Sequence, residues 1–190
     1  MVALNSVCWA VRGCGRGSPQ ERWLRKDLAI HRGTKCTLAY WHHPNFSSGQ
    51  SGLKFKRELA PLWDAVEDAR AEVVLVGHDH VYERFAPQNE NGSATKFGPR
   101  QFMVGTGGKN LGRFPSTRSR SVVRRREHGV LRMRLYPGGY RWRFASPFTG
   151  RSLDQGPRAA SERYAVAEEP RHVTSAVLDP CYSEPNLRAG

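Results

Sequence analysis

Apolar residues along the chain switch between helical and strand-like spacing, and the switches mark out its elements. Val2–Leu4 is a short apolar run that reads as a strand. Ser18-Pro19-Gln20-Glu21 offers a capping serine, a proline at the first helical position and a glutamate three residues after the cap. With Trp23, Leu24 and Leu28 following, it predicts a helix over about 19–31. Cys36–Trp41 reads as a strand, broken by His42-His43-Pro44 and then by the Ser/Gly loop Ser47–Gly52. Phe55, Leu59, Leu62, Trp63, Val66 and Ala69 recur at helical spacing. Because proline removes a donor and clashes inside a helix, that helix is expected to begin at Pro61 and end near Arg70. Val73–Val76 has the look of a buried strand and runs directly into Gly77-His78-Asp79-His80. Gln101–Val104 is another strand, ending in the turn Gly105–Gly108.

Further on the period becomes two. Leu131, Met133 and Leu135 alternate with Arg132 and Arg134, and Pro137-Gly138-Gly139 turns the chain. Tyr140, Trp142 and Phe144 then alternate with Arg141 and Arg143. This predicts an antiparallel hairpin with one apolar face and one arginine face. A slip of one residue would bury arginines, so the pattern also sets the register. Past Gly150 the periodicity fails. Residues 1–150 are therefore expected to form the folded part, and 151–190, rich in Ala, Ser, Pro, Arg and Glu, a poorly ordered tail.

Charge adds a second feature. The 190 residues carry a net charge of +13, and ten arginines against one acid, Glu127, lie between Arg113 and Arg143. Such a patch attracts polyanions, nucleic acid or anionic lipid, although the hairpin's outer face accounts structurally for four of its arginines. No apolar run is long enough to span a membrane, and no signal peptide is readable at the start. The four cysteines include no C-x-x-C pair, which argues against a zinc ribbon. Cys8 and Cys14 are close enough to close a small disulfide loop, and equally compatible with free thiols.

The chemistry gathers where strands end. Two histidine-bearing segments, His42-His43 and His78-x-His80, each follow a predicted strand, and ligands of open α/β sheets bind at that edge. Imidazole suits Zn, Fe and Mn ions. Gly105-Thr106-Gly107-Gly108-Lys109-Asn110 lacks the residues of a phosphate-binding loop, and no G-x-S-x-G is present.

At these segments a resemblance becomes specific. Gly77–Arg84, GHDHVYER, resembles the G-H-x-H-x-Y-E-R signature of purple acid phosphatases and related calcineurin-like metallophosphoesterases. Ala39–Gly49, AYWHHPNFSSG, is similar to their strand ending in His-x-Pro, and Arg100–Gly108, RQFMVGTGG, fits the same layout. The resemblance covers roughly residues 1–150. It implies an α/β fold, the C-terminal half of a four-layer α/β/β/α sandwich with the antiparallel hairpin at its end. It implies phosphoester hydrolysis with two metal ions, divalent or trivalent (Fe, Zn or Mn), and a phosphate ester as substrate. His42 and His78 would ligate one metal and His80 the other, while His43 would face substrate as a catalytic residue or pack before Pro44. Asp79, in an extended segment, points away from its neighbours, and Tyr82, Glu83 and Arg84 would support the loop.

The family also uses carboxylate ligands, in an Asp motif, a Gly-Asp motif and a Gly-Asn-His motif. No aspartate here follows glycine and no asparagine precedes histidine. A truncated or split chain is expected on that ground, with impaired activity and with the N-terminal half as a possible separate partner. The alternatives are a non-catalytic metal-binding remnant and a basic nucleic-acid-binding module acting through Arg113–Arg143.

Overall fold

The computed structural model describes residues 1–159. Its strands are β1 (Val2–Ala3), β2 (Leu38–Tyr40), β3 (Val73–Val76), β4 (Tyr82–Phe85), β5 (Arg100–Val104), β6 (Ser121–Arg125), β7 (Val130–Tyr136), β8 (Gly139–Ala145) and β9 (Ser152–Ala159). The α-helices are α1 (Pro19–Ile30) and α2 (Lys56–Asp68), and Cys8–Val11 forms a short 3-10 turn. Six strands make one sheet in the order β1-β2-β3-β5-β4-β6, and β7-β8-β9 make a second. β1, β2, β3 and β5 run parallel, and β4 is antiparallel to both its neighbours.

Helix α1 starts where the capping sequence places it: the Ser18 hydroxyl accepts from the Glu21 N–H, and the Glu21 carboxylate accepts from the Gly17 N–H at 2.9 Å. Helix α2 begins five residues before the expected start and carries Pro61 inside it. Proline gives up one backbone bond there, but Leu59, Leu62, Trp63 and Val66, all fully buried, hold the turn on either side against the sheet.

Both helices cover one face of the large sheet. Leu24, Leu28, Leu59, Trp63 and Val66 form one core with Val2, Val74, Val76 and Met103. The opposite face, presenting Leu38, Val73, Tyr82 and Phe102, packs against Tyr140, Trp142, Phe144 and Leu153 of the second sheet. The layers are thus helices, mixed sheet and antiparallel sheet. In β7 and β8 the predicted alternation holds: Tyr140, Trp142 and Phe144 are buried, and Arg132, Arg134, Arg141 and Arg143 are exposed.

One boundary differs from the sequence expectation. The folded body continues past Gly150, because β9 pairs along the whole of β8, with Asp154 opposite Phe144 and Gly156 opposite Trp142. Two positions on its covered side are an aspartate and a glycine, so no apolar alternation marks the strand. Gly156 is required for space: a Cβ there would lie 2.7 Å from the Trp142 ring. Residues 160–190, the remainder of the expected tail, lie outside the described residues. Cys8 and Cys14 are joined in a disulfide, and Cys36 is free and buried. Among the described residues no helix is long and apolar enough to cross a membrane.

Candidate metal centre

Parallel pairing brings the carboxyl ends of β1, β2, β3 and β5 to one edge, and the histidines stand there. His42 and His43 follow β2; His78 and His80 follow β3. Gly77 N–H donates to the His42 carbonyl at 2.9 Å, locking the two strand ends together. His78 is turned by a left-handed backbone (φ 70°), a conformation uncommon outside glycine, and its ring swings towards β2. His78 Nδ1 and His42 Nε2 lie 3.2 Å apart. His42, His43 and His78 each offer a ring nitrogen within 4.8 Å of the other two.

Neighbouring groups fix these rings. The Ser6 hydroxyl, just past β1, accepts from the His42 and His43 N–H groups at 3.2 and 2.9 Å. His43 Nδ1 lies 2.9 Å from that hydroxyl and 3.1 Å from the Ser6 carbonyl. The carbonyl can only accept, so a proton on Nδ1 leaves Nε2 with a lone pair. The His43 ring is also tilted over Phe55, with centroids 4.2 Å apart. His80 stands outside the three-imidazole cluster, its Nδ1 donating to the Asn110 carbonyl at 2.9 Å. That contact likewise leaves Nε2 for a ligand, the usual second contact of a metal-binding histidine. His42, His78 and His80 all line one cavity of about 660 Å³, whose wall also includes Lys54 and Arg113.

Burial, and then the neighbouring histidines, hold the His43 and His78 imidazoles below their ordinary pKa. Neutral imidazole is the form that binds a cation, so the donor set suits a transition metal. No carboxylate joins that three-residue group. Asp79 is buried beside it and lines the same cavity, but its carboxylate accepts from both Ser47 and Ser51 hydroxyls and from the Ser51 N–H.

Those bonds explain how the Ser/Gly loop after His43 is held. Its backbone is largely buried and lacks a sheet partner, so side chains from β4, β5 and the turn after β3 satisfy much of it. Asp79 takes Ser51, the fully buried Glu83 accepts from Ser48 N–H at 2.8 Å, and the Gln101 amide both accepts from and donates to Phe46. Tyr82 and Arg84, on the other side of β4, reach the second sheet. Tyr82 donates to Asp154 at 2.6 Å, Arg84 at 2.7 and 3.1 Å, and Trp142 Nε1 at 3.0 Å. No local sequence pattern marks Asp154, the partner of Tyr82 and Arg84, or Ser6, which holds His42 and His43.

No family model matches the chain. Purple acid phosphatases 22 and 21 of Arabidopsis thaliana are each 33% identical to it over 101 residues, half of this chain and 22% of theirs. The structure of purple acid phosphatase PPD1 from yellow lupin (Lupinus luteus) seeds superposes with a TM-score of 0.68 at 18% identity. That match covers 85% of this chain and 32% of the lupin one. Over about half its length the chain is similar to the purple acid phosphatases. It spans about a fifth of the length of these curated relatives, 22%. The superposition on the lupin phosphatase carries the fold: the α/β core and the terminal antiparallel strands match part of that structure.

Proposed function

We propose that this chain supplies the histidine part of a two-metal phosphoester hydrolase site. The observation that carries the reading is the convergence of His42, His78 and His80 on one cavity at the carboxyl edge of parallel strands. His42 and His78 would hold one ion between them. His80 would hold the other through Nε2, because the Asn110 carbonyl fixes its Nδ1. When bound, such ions (Fe, Zn or Mn) neutralise phosphoryl charge as Lewis acids. His43, its Nδ1 held by Ser6, would turn the Nε2 lone pair towards substrate as an acceptor for the proton of a water or a protonated phosphate oxygen. Lys54 and Arg113 on the cavity wall place two further positive charges beside a phosphate ester.

The imidazoles make an incomplete set for two metals. Each ion needs several protein ligands, and an oxygen bridge holds two mutually repelling cations about 3.5–4 Å apart. With Asp79 hydrogen-bonded to Ser47 and Ser51, no carboxylate among the described residues joins the histidine group to bridge two ions. The 190-residue chain alone should therefore show little or no turnover of an activated aryl phosphate with Zn, Mn or Fe. Robust turnover abolished in a His78→Ala/His80→Ala control would mean that the chain completes its own site. Inorganic phosphate should bind the metal-loaded chain and not the metal-free chain. Equal phosphate binding in both states would contradict the reading.

A second arrangement has its own support. The ring nitrogens of His42, His43 and His78 form a compact three-imidazole group, a known set for a single catalytic zinc. Metal titration separates the two. His43→Ala should leave metal affinity within about twofold under the first reading and lower it at least tenfold under the second, the scale on which even supporting residues act.

A further inference from the structure

The face of the second sheet turned away from the core has no part in the histidine site, and its chemistry is of another kind. We infer that the β7–β8 outer face binds single-stranded nucleic acid by its phosphates. Register sets Arg132 opposite Arg143 and Arg134 opposite Arg141, and all four are exposed. Like charges directly opposite in an antiparallel pair repel and destabilise it. Among the described residues no acidic side chain pairs with any of the four: Arg143 donates to the Gly150 carbonyl and Arg141 lies over the Tyr136 ring. An anion bound across the four arginines would relieve that repulsion.

Geometry narrows the anion. Alternate residues of a strand lie about 6.7 Å apart, so the arginines form a two-by-two grid. An extended polynucleotide spaces successive phosphates comparably, and each guanidinium can take a phosphate with two parallel hydrogen bonds. Tyr136 beneath Arg141 adds an aromatic surface at one end of the grid, of the kind bases stack on. A bilayer would need apolar side chains among the charges, and none stands between the arginines. The exposed Val130 and Phe148 sit at the other end, in the first position of β7 and in the β8–β9 turn.

The test is fluorescence anisotropy of a labelled oligodeoxythymidylate titrated with the full 190-residue chain across a salt series. Four phosphate contacts predict a log–log salt slope of about −3, from roughly −0.7 per phosphate on a single strand. Arg132→Gln/Arg134→Gln/Arg141→Gln/Arg143→Gln should weaken binding at least tenfold and flatten the slope. Removing the same charge elsewhere, with Arg22→Gln/Lys26→Gln/Arg32→Gln/Arg57→Gln, should leave most of the affinity. If the quadruple sheet variant fails to fold by circular dichroism, Arg132→Gln/Arg143→Gln alone should remove about half of the slope. Equal losses in the sheet and control variants would reduce the effect to net charge and overturn the inference. So would binding without salt dependence, or binding to phosphatidylglycerol vesicles with none to the oligonucleotide.

Discussion

Replacing Asp154 by alanine should lower the unfolding free energy by about 3–5 kcal/mol, the range for removing one partner of a buried ion pair. Its side chain is 7% exposed and that of Arg84 11%. Alanine would strand the Arg84 guanidinium and leave Tyr82 and Trp142 donating to nothing. Asp154→Asn tests the charge separately. Burial alone would raise the Asp154 carboxyl, but hydrogen bonds from Arg84 and Tyr82 overcome it and hold the pKa below the ordinary value. A depressed native pKa means stability that is present above the unfolded pKa of about 3.9 and lost as pH falls through the native value. The gap between the native chain and Asp154→Asn should therefore be widest at neutral pH and shrink in acid. Urea melts at neutral pH and well below the ordinary carboxyl pKa measure it. A gap that is the same at both pH values would remove the charge from the account.

The second large effect is at Gly105. A Cβ there would sit 1.9 Å from the Asp79 carbonyl oxygen and 3.1 Å from the His80 Cα, both backbone atoms that cannot rotate aside. Gly105→Ala must push the His78–His80 segment off β5. The expected loss is about 3 kcal/mol, the upper end for an overpacked interior, together with weaker metal binding as the histidines lose register. Gly107→Ala is the matched control, since nothing lies within 4 Å of its Cβ, and it should stay within about 0.5 kcal/mol. Thermal melts of the two variants side by side make the comparison. Similar stabilities would mean that the loop gives way freely and is not a rigid frame for the histidines.

The histidine edge was legible because each segment is local: an apolar strand, a turn and an imidazole lie within a few residues. The hairpin was legible for the same reason, with period-two alternation on both sides of Pro137-Gly138-Gly139. What escaped notice depends on partners far apart in sequence. Asp154 meets Arg84 across 70 residues, and β9 carries its value in one buried charge and one glycine rather than in an apolar pattern. Helix α2 runs through Pro61 because tertiary burial of its neighbours outweighs the local penalty. His43 also gained definition only in three dimensions, where Ser6 from β1's end and Phe55 from the start of α2 fix its ring.

The central claim is that His42, His78 and His80 hold metal on this chain. It is tested most directly by Zn titration against a competing chelator, on the native chain and on three single alanine variants. The account predicts saturable binding that falls at least tenfold in His42→Ala and again in His78→Ala, since in the proposed arrangement these two would share an ion. His80→Ala should remove a separate, weaker event and leave the first intact. Unchanged binding in all three variants would contradict the account.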